Sequence, residues 1–266
     1  MLDLQRQERL RARYRAAKPG YRPSGEVYDK LLRQYLRPDS VILDAGCGQA
    51  GIVARARGMA RAVGLDISFQ GFRDAVDLAD LVCGDLEALP FADATFTLIA
   101  SSWVFEHLAH PDRVFAEFAR ILVPGGALVF LTPNAHHPIT ISTHSIPDRL
   151  QKALVRRLYG RQEIFTFRTY YRANTRRDLD RLLTAAGFQC EAFYFVGDPT
   201  YLAFNELGYR LGTLYEWLTD RPRLERFKVH LVGAYVKKSL QPTDPDQRTT
   251  AGICHRHAIR GGAVRA

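Results

Sequence analysis

The chain of 266 residues has little that would take it out of water or staple it together. No apolar run exceeds strand length. ALVFL at 127–131 is representative, whereas a bilayer-spanning helix needs about 20 residues. The opening MLDLQRQERLRARYRAAK is basic and lacks the apolar h-region of a secretory signal. Cysteine is scarce: Cys47, Cys83, Cys190 and Cys254 are scattered too widely for a disulfide framework. Free thiols in a reducing cytoplasm are the expectation. Lysine is scarce as well. Six of the 37 basic residues are Lys and the rest are Arg, for a formal net charge of +9. A basic surplus fits an acidic partner. Yet no Lys/Arg block is long enough for a nucleic-acid tail, and no RNA-binding signature or repeat is present. An arginine-rich solvated surface without a nucleic-acid partner is the reading adopted. Metal-ligand spacing is also missing. His136 and His137 with a distant His144, and the Cys254-His255-His257 tail group, match no characteristic set, so no metal is expected.

What is present is a core. Hydrophobic residues make up 47% of the chain, enough for one large domain with insertions. Residues 1–37 read as a helical cap broken at Pro19-Gly20. From 38 to 133 apolar strand-sized runs alternate with helical patterns: VILDA, AVGLDI, LVCGD, FTLIASS and GALVFLTP. Such buried runs separated by helices imply parallel strands covered on both faces, an α/β doubly wound, Rossmann-like sheet. Residues 134–173 break the rhythm and are too long for an ordinary connection, so they read as a substrate lid. From 174 to 238 the pattern resumes. A helix capped by Asn174 or Thr175 is stopped by Gly187. The strands QCEAFYFVG and HLVGAYVKK follow, with a helix over 200–220 between them. Its Phe204, Leu207, Leu211, Leu214 and Leu218 recur at spacings of three and four. The tail, 239–266, is polar and expected to be flexible.

The informative stretch is VILDAGCGQAG, residues 41–51. Gly46, Gly48 and Gly51 have the spacing of a dinucleotide fingerprint, and Asp66 follows Gly46 by twenty residues. Glycines there permit tight turns for several nucleotide cofactors. Asp44 discriminates among them. A dinucleotide places a pyrophosphate on the following helix N-terminus, which a carboxylate opposes. S-adenosylmethionine carries no phosphate, but an ammonium and a sulfonium that Asp44 favours by a few kcal/mol at ~4 Å before desolvation. Gly51 then becomes a helix residue near the sheet. Asp66, ending the second strand, suits the ribose hydroxyls, with Ile67 and Ser68 flanking the adenine. Asp85, ending the third, suits the adenine amino group.

These residues, with GDLEALPFADATFTLIASSWVFEHLAHPDRVFAEFARILVPGGALVFLTPN, resemble the class I S-adenosylmethionine-dependent methyltransferases. The branch containing ubiquinone- and menaquinone-biosynthesis enzymes is the most similar in flavour. The resemblance is specific over about 38–134 and topological over 174–238. It implies a seven-stranded sheet, mostly parallel with the last strand antiparallel, with helical lid insertions. It also implies cofactor contacts at Asp44, Gly46, Cys47, Gly48, Asp66, Ile67, Ser68, Asp85, Leu86, Ser101 and Ser102. N-terminal helices in this family often close over the cofactor, which brings in Tyr14 and Tyr21.

Methyl transfer from a sulfonium needs alignment first, and a base only when the nucleophile must lose a proton. His107 in WVFEHLAHP is a base candidate, though the favoured reading is that Glu106 and His107 order that loop and cap the helix beginning near Pro111. His136 and His137 are further candidates. In the lid, Asn134, His144, Arg168, Tyr170, Tyr171 and Arg172 form a candidate acceptor site. Arg168 and Arg172 would hold an anion while the tyrosines stack or hydrogen-bond; packing of the lid is the equal alternative. The expectation is a cytoplasmic methyltransferase for a small-molecule, anion-compatible acceptor, with oxygen preferred. The Asn/Asp-Pro-Pro-aromatic signature of amino-group methylation is absent; SSWVF stands there instead. The alternatives are an RNA or protein methyltransferase and a non-catalytic S-adenosylmethionine-binding partner protein. Oligomeric state stays open, a homodimer being compatible.

Overall fold

The computed structural model describes residues 4–48, 60–68, 81–144 and 167–239. Helices α1 (Leu4–Ala17) and α2 (Ser24–Tyr35) precede the sheet. The strands are β1 (Val41–Ala45), β2 (Arg61–Asp66), β3 (Leu81–Cys83), β4 (Phe96–Ser102), β5 (Leu122–Pro133), β6 (Phe188–Val196) and β7 (His230–Lys237). Between them lie α3 (Pro111–Ile121), α4 (Pro138–His144), α5 (Arg176–Ala185) and α6 (Glu206–Thr219). The helices read over 50–58 and 69–77, with Gly51, the lid from 145 to 166 and the tail beyond 239, lie outside the described residues.

The seven strands pair in the order β3-β2-β1-β4-β5-β7-β6. β1, β2, β3, β4 and β5 pair in parallel, whereas β7 runs antiparallel to both β5 and β6. The α/β doubly wound sheet with an antiparallel last strand is therefore observed. Strand pleating divides the core. Leu43, Leu128 and Phe130 face Phe115 and Phe118 of α3 and Leu179 of α5. Ile42, Leu98, Val129 and Val232 face Val27, Tyr28 and Leu31 of α2. Each aliphatic side chain so buried contributes roughly 1.5–3 kcal/mol. The caps read from sequence appear where the chemistry requires them. Thr175 Oγ1 accepts from Asp178 N at 3.1 Å, and Gly187 turns the chain at φ +91°.

The helix expected over 200–220 starts later, at Glu206, and its facing is reversed. The apolar stripe Leu207, Leu211, Leu214 and Leu218 points outward, Leu207 being 66% exposed. The buried side holds Tyr209, Gly212, Glu216 and Thr219. Two constraints impose this. A Cβ on Gly212 would lie 2.5 Å from the Pro199 carbonyl oxygen, so the helix docks there by its bare backbone. Glu216, four residues on, accepts from Asp198 N (3.0 Å) and from Lys228 Nζ (3.1 Å) in the interior. A buried polar network of this strength overrides hydrophobic period.

Candidate functional site

Strand order reverses between β1 and β4, and in such sheets ligands bind beyond the carboxyl ends at that point. Asp44, 3% exposed, sits at this end of β1. The next turn uses left-handed backbone at Gly46 (φ +74°) and Gly48 (φ +49°). A Cβ on Gly46 would meet Val104 Cγ2 at 2.3 Å, so only glycine lets the loop lie against the β4 exit.

The amides of this turn point back into the protein. Gly46 N and Cys47 N both donate to Leu65 O, at 2.8 and 3.1 Å. Gly48 N donates to Asp66 Oδ2 at 2.9 Å, and Ser68 N to Asp66 Oδ1 at 3.0 Å. A pyrophosphate cradle needs free N–H groups; these three are engaged with β2. These three donors are therefore closed to a diphosphate. Asp66 joins the two loops through its carboxylate and keeps lone pairs for a further donor. Ile67, 61% exposed beside it, presents an apolar face to the crevice mouth. The Cys47 thiol is buried and pushed up to about 12, by desolvation first and then by Asp44 and Asp66. It acts as an inert wall. Ser101 Oγ donates to Ala45 O at 3.1 Å, tying β4 to β1; Ser102 follows, half-buried. Asp85 is exposed and accepts from Glu87 N at 2.9 Å, closing its own turn, while Leu86 packs on the core.

The three histidines named as catalytic candidates are not brought together. His107 lies in a one-turn helix, Phe105–His107, after β4. Its Nδ1 is 3.0 Å from Arg168 O. A carbonyl only accepts, so Nδ1 carries a hydrogen, while Nε2 lies 3.9 Å from Glu106 Oε1. His136 is exposed; its backbone N donates to Asn134 Oδ1 at 3.0 Å. His137 is buried, and its Nδ1 accepts from Ile139 N. Desolvation lowers it to about 4, so it is neutral at pH 7.

The lid residues also separate. Asn134 is fully buried, with Nδ2 donating to Arg226 O and Lys228 O, each at 2.7 Å. It sews the β5 exit to the β7 approach and has no free donor for an acceptor, a correction to its reading as a substrate contact. Arg168 and Arg172 both stack on Tyr170, with guanidinium carbons 5.2 and 5.5 Å from the ring centre. Arg172 Nη1 also donates to Ala109 O at 2.6 Å. Tyr170 N and Tyr171 N donate to Glu106 O. The segment thus folds onto the β4 loop. Burial holds the Glu106 carboxyl above its usual range. The Tyr171 phenol is raised to about 12, by burial and then by Glu106. His144 ends α4, and its side chain lies outside the described residues.

A second constellation, unread in the sequence apart from His137, Tyr14 and Tyr21, occupies the same rim. Because β7 is antiparallel, its first residue, His230, stands beside the ends of β5 and β6. His230 is 3% exposed and held at about 4 by desolvation. Its Nε2 is 2.8 Å from Tyr201 Oη. Trp103, in left-handed backbone at φ +61°, packs edge-on at 4.9 Å. His137 packs edge-on against Tyr201 and Tyr215. Next to them Asp198 accepts from Arg11 Nη2 at 2.7 Å and from Thr200 Oγ1 at 2.7 Å. Two buried polar atoms here lack a hydrogen-bond partner: Tyr21 Oη and His230 Nδ1. Both feel the charges of Asp198 and Arg11. Buried orphans are rare and costly, and mark where a ligand or water belongs. Tyr21 itself packs edge-on against Tyr14 at 4.8 Å. One sequence signal was available: a polar residue opening an apolar strand is a rim residue once that strand is antiparallel.

Fold and crevice together define an α/β protein whose doubly wound sheet carries a buried carboxylate, Asp44, at its switch point. Residues 43–130 match the methyltransferase domain family. Malonyl-[acyl-carrier protein] O-methyltransferase of Methylococcus capsulatus is 36% identical over 119 residues, 40% of this chain and 43% of that protein. The biotin-biosynthesis bifunctional protein of Cellvibrio japonicus is 30% identical over 205 residues, 71% of this chain and 37% of that one. The chain thus spans less than half the length of these two relatives. An S-adenosylmethionine-dependent methyltransferase structure from Methanosarcina mazei superposes with TM-score 0.53 at 18% identity, covering 79% of this chain and 97% of that one. The [4+2]-cyclase SpnF gives 0.50 at 18%, covering 80% of each chain. Residues 43–130 are thus a methyltransferase domain, and the cofactor that goes with it is S-adenosylmethionine. No described helix is long and apolar enough to cross a membrane.

Proposed function

We propose that this protein moves the methyl group of S-adenosylmethionine to an oxygen of a small-molecule acceptor in the cytoplasm. The observation that carries the reading is the buried neutral group His137, Tyr201 and His230 with the orphan atoms Tyr21 Oη and His230 Nδ1, beside Trp103 at the cofactor rim. A cyclase shares the fold, so fold alone does not imply methyl transfer. The O-methyltransferase name of the Methylococcus relative supports the oxygen.

The bound cofactor supplies an activated methyl, and the protein's part is alignment, worth up to roughly 7–11 kcal/mol. Asp44 and Asp66 hold the donor; Ile67, Ser68, Asp85 and Leu86 frame its adenine. Ser101, Ser102 and Trp103 set the crevice floor. His137 and His230, both lowered to about 4, are weak bases at pH 7. They orient the acceptor by hydrogen bonds. His107 is the proton taker for a hydroxyl acceptor, whereas a carboxylate needs none. The Arg168-Tyr170-Arg172 stack and Tyr171 wall the acceptor mouth.

The test is incubation of the purified protein with S-adenosylmethionine and a panel of carboxylate, phenol, alcohol and amine acceptors, read by product mass. Methyl esters or ethers, lost in Tyr201→Phe and His230→Gln, are expected. Methylation confined to amines would overturn the oxygen assignment.

A further inference from the structure

A cavity of about 960 Å³ lies apart from the residues placed at the cofactor and acceptor. It opens between the first turn of α5, strand β6 and the one-turn helix Glu225–Phe227. Arg176, Arg177, Arg223, Arg226 and His136 line it. Two acids share the wall, Asp180 and Glu225. Asp180 is already matched, by an ion pair with Arg176 and by the Tyr235 hydroxyl. Among the described residues Arg177 and Arg223 have no carboxylate partner. Unneutralised guanidinium groups around one cavity repel each other, and a bound anion removes that repulsion.

Arg176 and Arg177 open α5 ahead of Asp178, which Thr175 caps, so the helix start places two guanidinium groups at the mouth of the cavity. Position supplies a second sign. His136 borders this cavity, while the neighbouring His137 turns into the Tyr201-Tyr215-His230 group. The cavity begins one residue from the proposed acceptor site.

We propose that the cavity is a phosphate subsite: it holds a phosphate ester borne by the acceptor, whose methylated oxygen reaches the His137 end. The assignment rests on the acceptor reading above. Guanidinium forks match phosphate oxygens in pairs, and several converging forks suit a group with three oxygens and up to two charges better than a carboxylate. The phosphate has two chemical sources, a phosphopantetheine-type arm or a nucleoside diphosphate.

The experiment is calorimetry of the full chain at low salt with pyrophosphate, 4′-phosphopantetheine and uridine diphosphate, and separately with S-adenosylmethionine. The probe variant is Arg177→Ala with Arg223→Ala, both exposed side chains. A control of equal charge loss is Arg9→Ala with Arg33→Ala, also exposed. Pyrophosphate should bind the natural chain and the control alike, and at least tenfold more weakly to the probe variant, with S-adenosylmethionine affinity unchanged in all three. Tighter binding of the pantetheine phosphate or of the nucleotide supports the subsite and assigns the source. No pyrophosphate binding, or equal loss in probe and control, overturns the subsite. Failure of the natural chain to bind S-adenosylmethionine would instead sink the methyl-transfer reading and leave the phosphate result standing.

Discussion

Asp66→Ala separates a loop brace from a ligand contact. The Asp66 carboxylate accepts two backbone hydrogens, from Gly48 at 2.9 Å and Ser68 at 3.0 Å. Bonds to a charged acceptor contribute roughly 1.5–3 kcal/mol each when dry. Asp66 is half-buried, so water replaces part of both, and the expected stability loss is about 1–2 kcal/mol. The cofactor loses more. Ribose hydroxyls lose a charged acceptor, and the Gly48 turn loses its tether. The predicted loss of S-adenosylmethionine affinity is ten- to a hundredfold, about 1.4–2.7 kcal/mol. Asp66→Asn should fall between, since an amide keeps one acceptor and turns a donor toward Gly48 N. The assay is calorimetric titration well below the unfolding midpoint, paired with urea unfolding. Lower stability with unchanged affinity would show that Asp66 only braces the loops, and would refute the ribose assignment.

Gly46→Ala places a Cβ 2.3 Å from Val104 Cγ2 in backbone at φ +74°. Left-handed strain of about 1–2 kcal/mol plus the clash should lower the melting temperature, and Val104→Ala in the same chain should restore part of it. Lys228→Met strands Glu216, 2% exposed, without its cation. Urea unfolding should show a loss of about 3–5 kcal/mol, larger at pH 8 than at pH 5 because protonated Glu216 no longer needs a partner. Acid should also weaken the fold through His137 and His230. Both are lowered from 6.5 to about 4, so the unfolded chain binds more protons across that window. Their contribution is complete above pH 6.5 and declines toward pH 4 by about 1.4 kcal/mol per unit for each. Glu106 and Glu216, raised by burial, act in the opposite sense and offset part of this decline. A flat urea midpoint between pH 7 and 5 that persists in Glu216→Gln would contradict neutral buried histidines.

The sheet that carries the β1 loop was readable because its signals are local. Asp66 closes β2, Asp44 stands one residue before the end of β1 and Asp85 two residues beyond β3 rather than at its end, and period and glycine turns place strand ends without knowledge of the rest. Asp44, Gly46, Gly48 and Asp66 sit within that frame. The acceptor rim was not readable, because its contacts are distant in sequence. Arg11 meets Asp198, Tyr201 meets His230 and Glu216 meets Lys228 only after β7 reverses direction. α6 shows the sharper limit. Its apolar period was correct, yet it described the outer face, since a bare glycine and a buried carboxylate decided the docking. Asn134 read as a substrate contact by its place in the lid, and instead its amide satisfies two buried carbonyls.

The central claim is that the β1 loop holds a cationic adenosyl donor and not a diphosphate. Calorimetry of one preparation with S-adenosylmethionine and with NADH and NADPH tests it directly. The account predicts saturable binding of S-adenosylmethionine and none of either nicotinamide cofactor. Binding of a nicotinamide cofactor without binding of S-adenosylmethionine would contradict it.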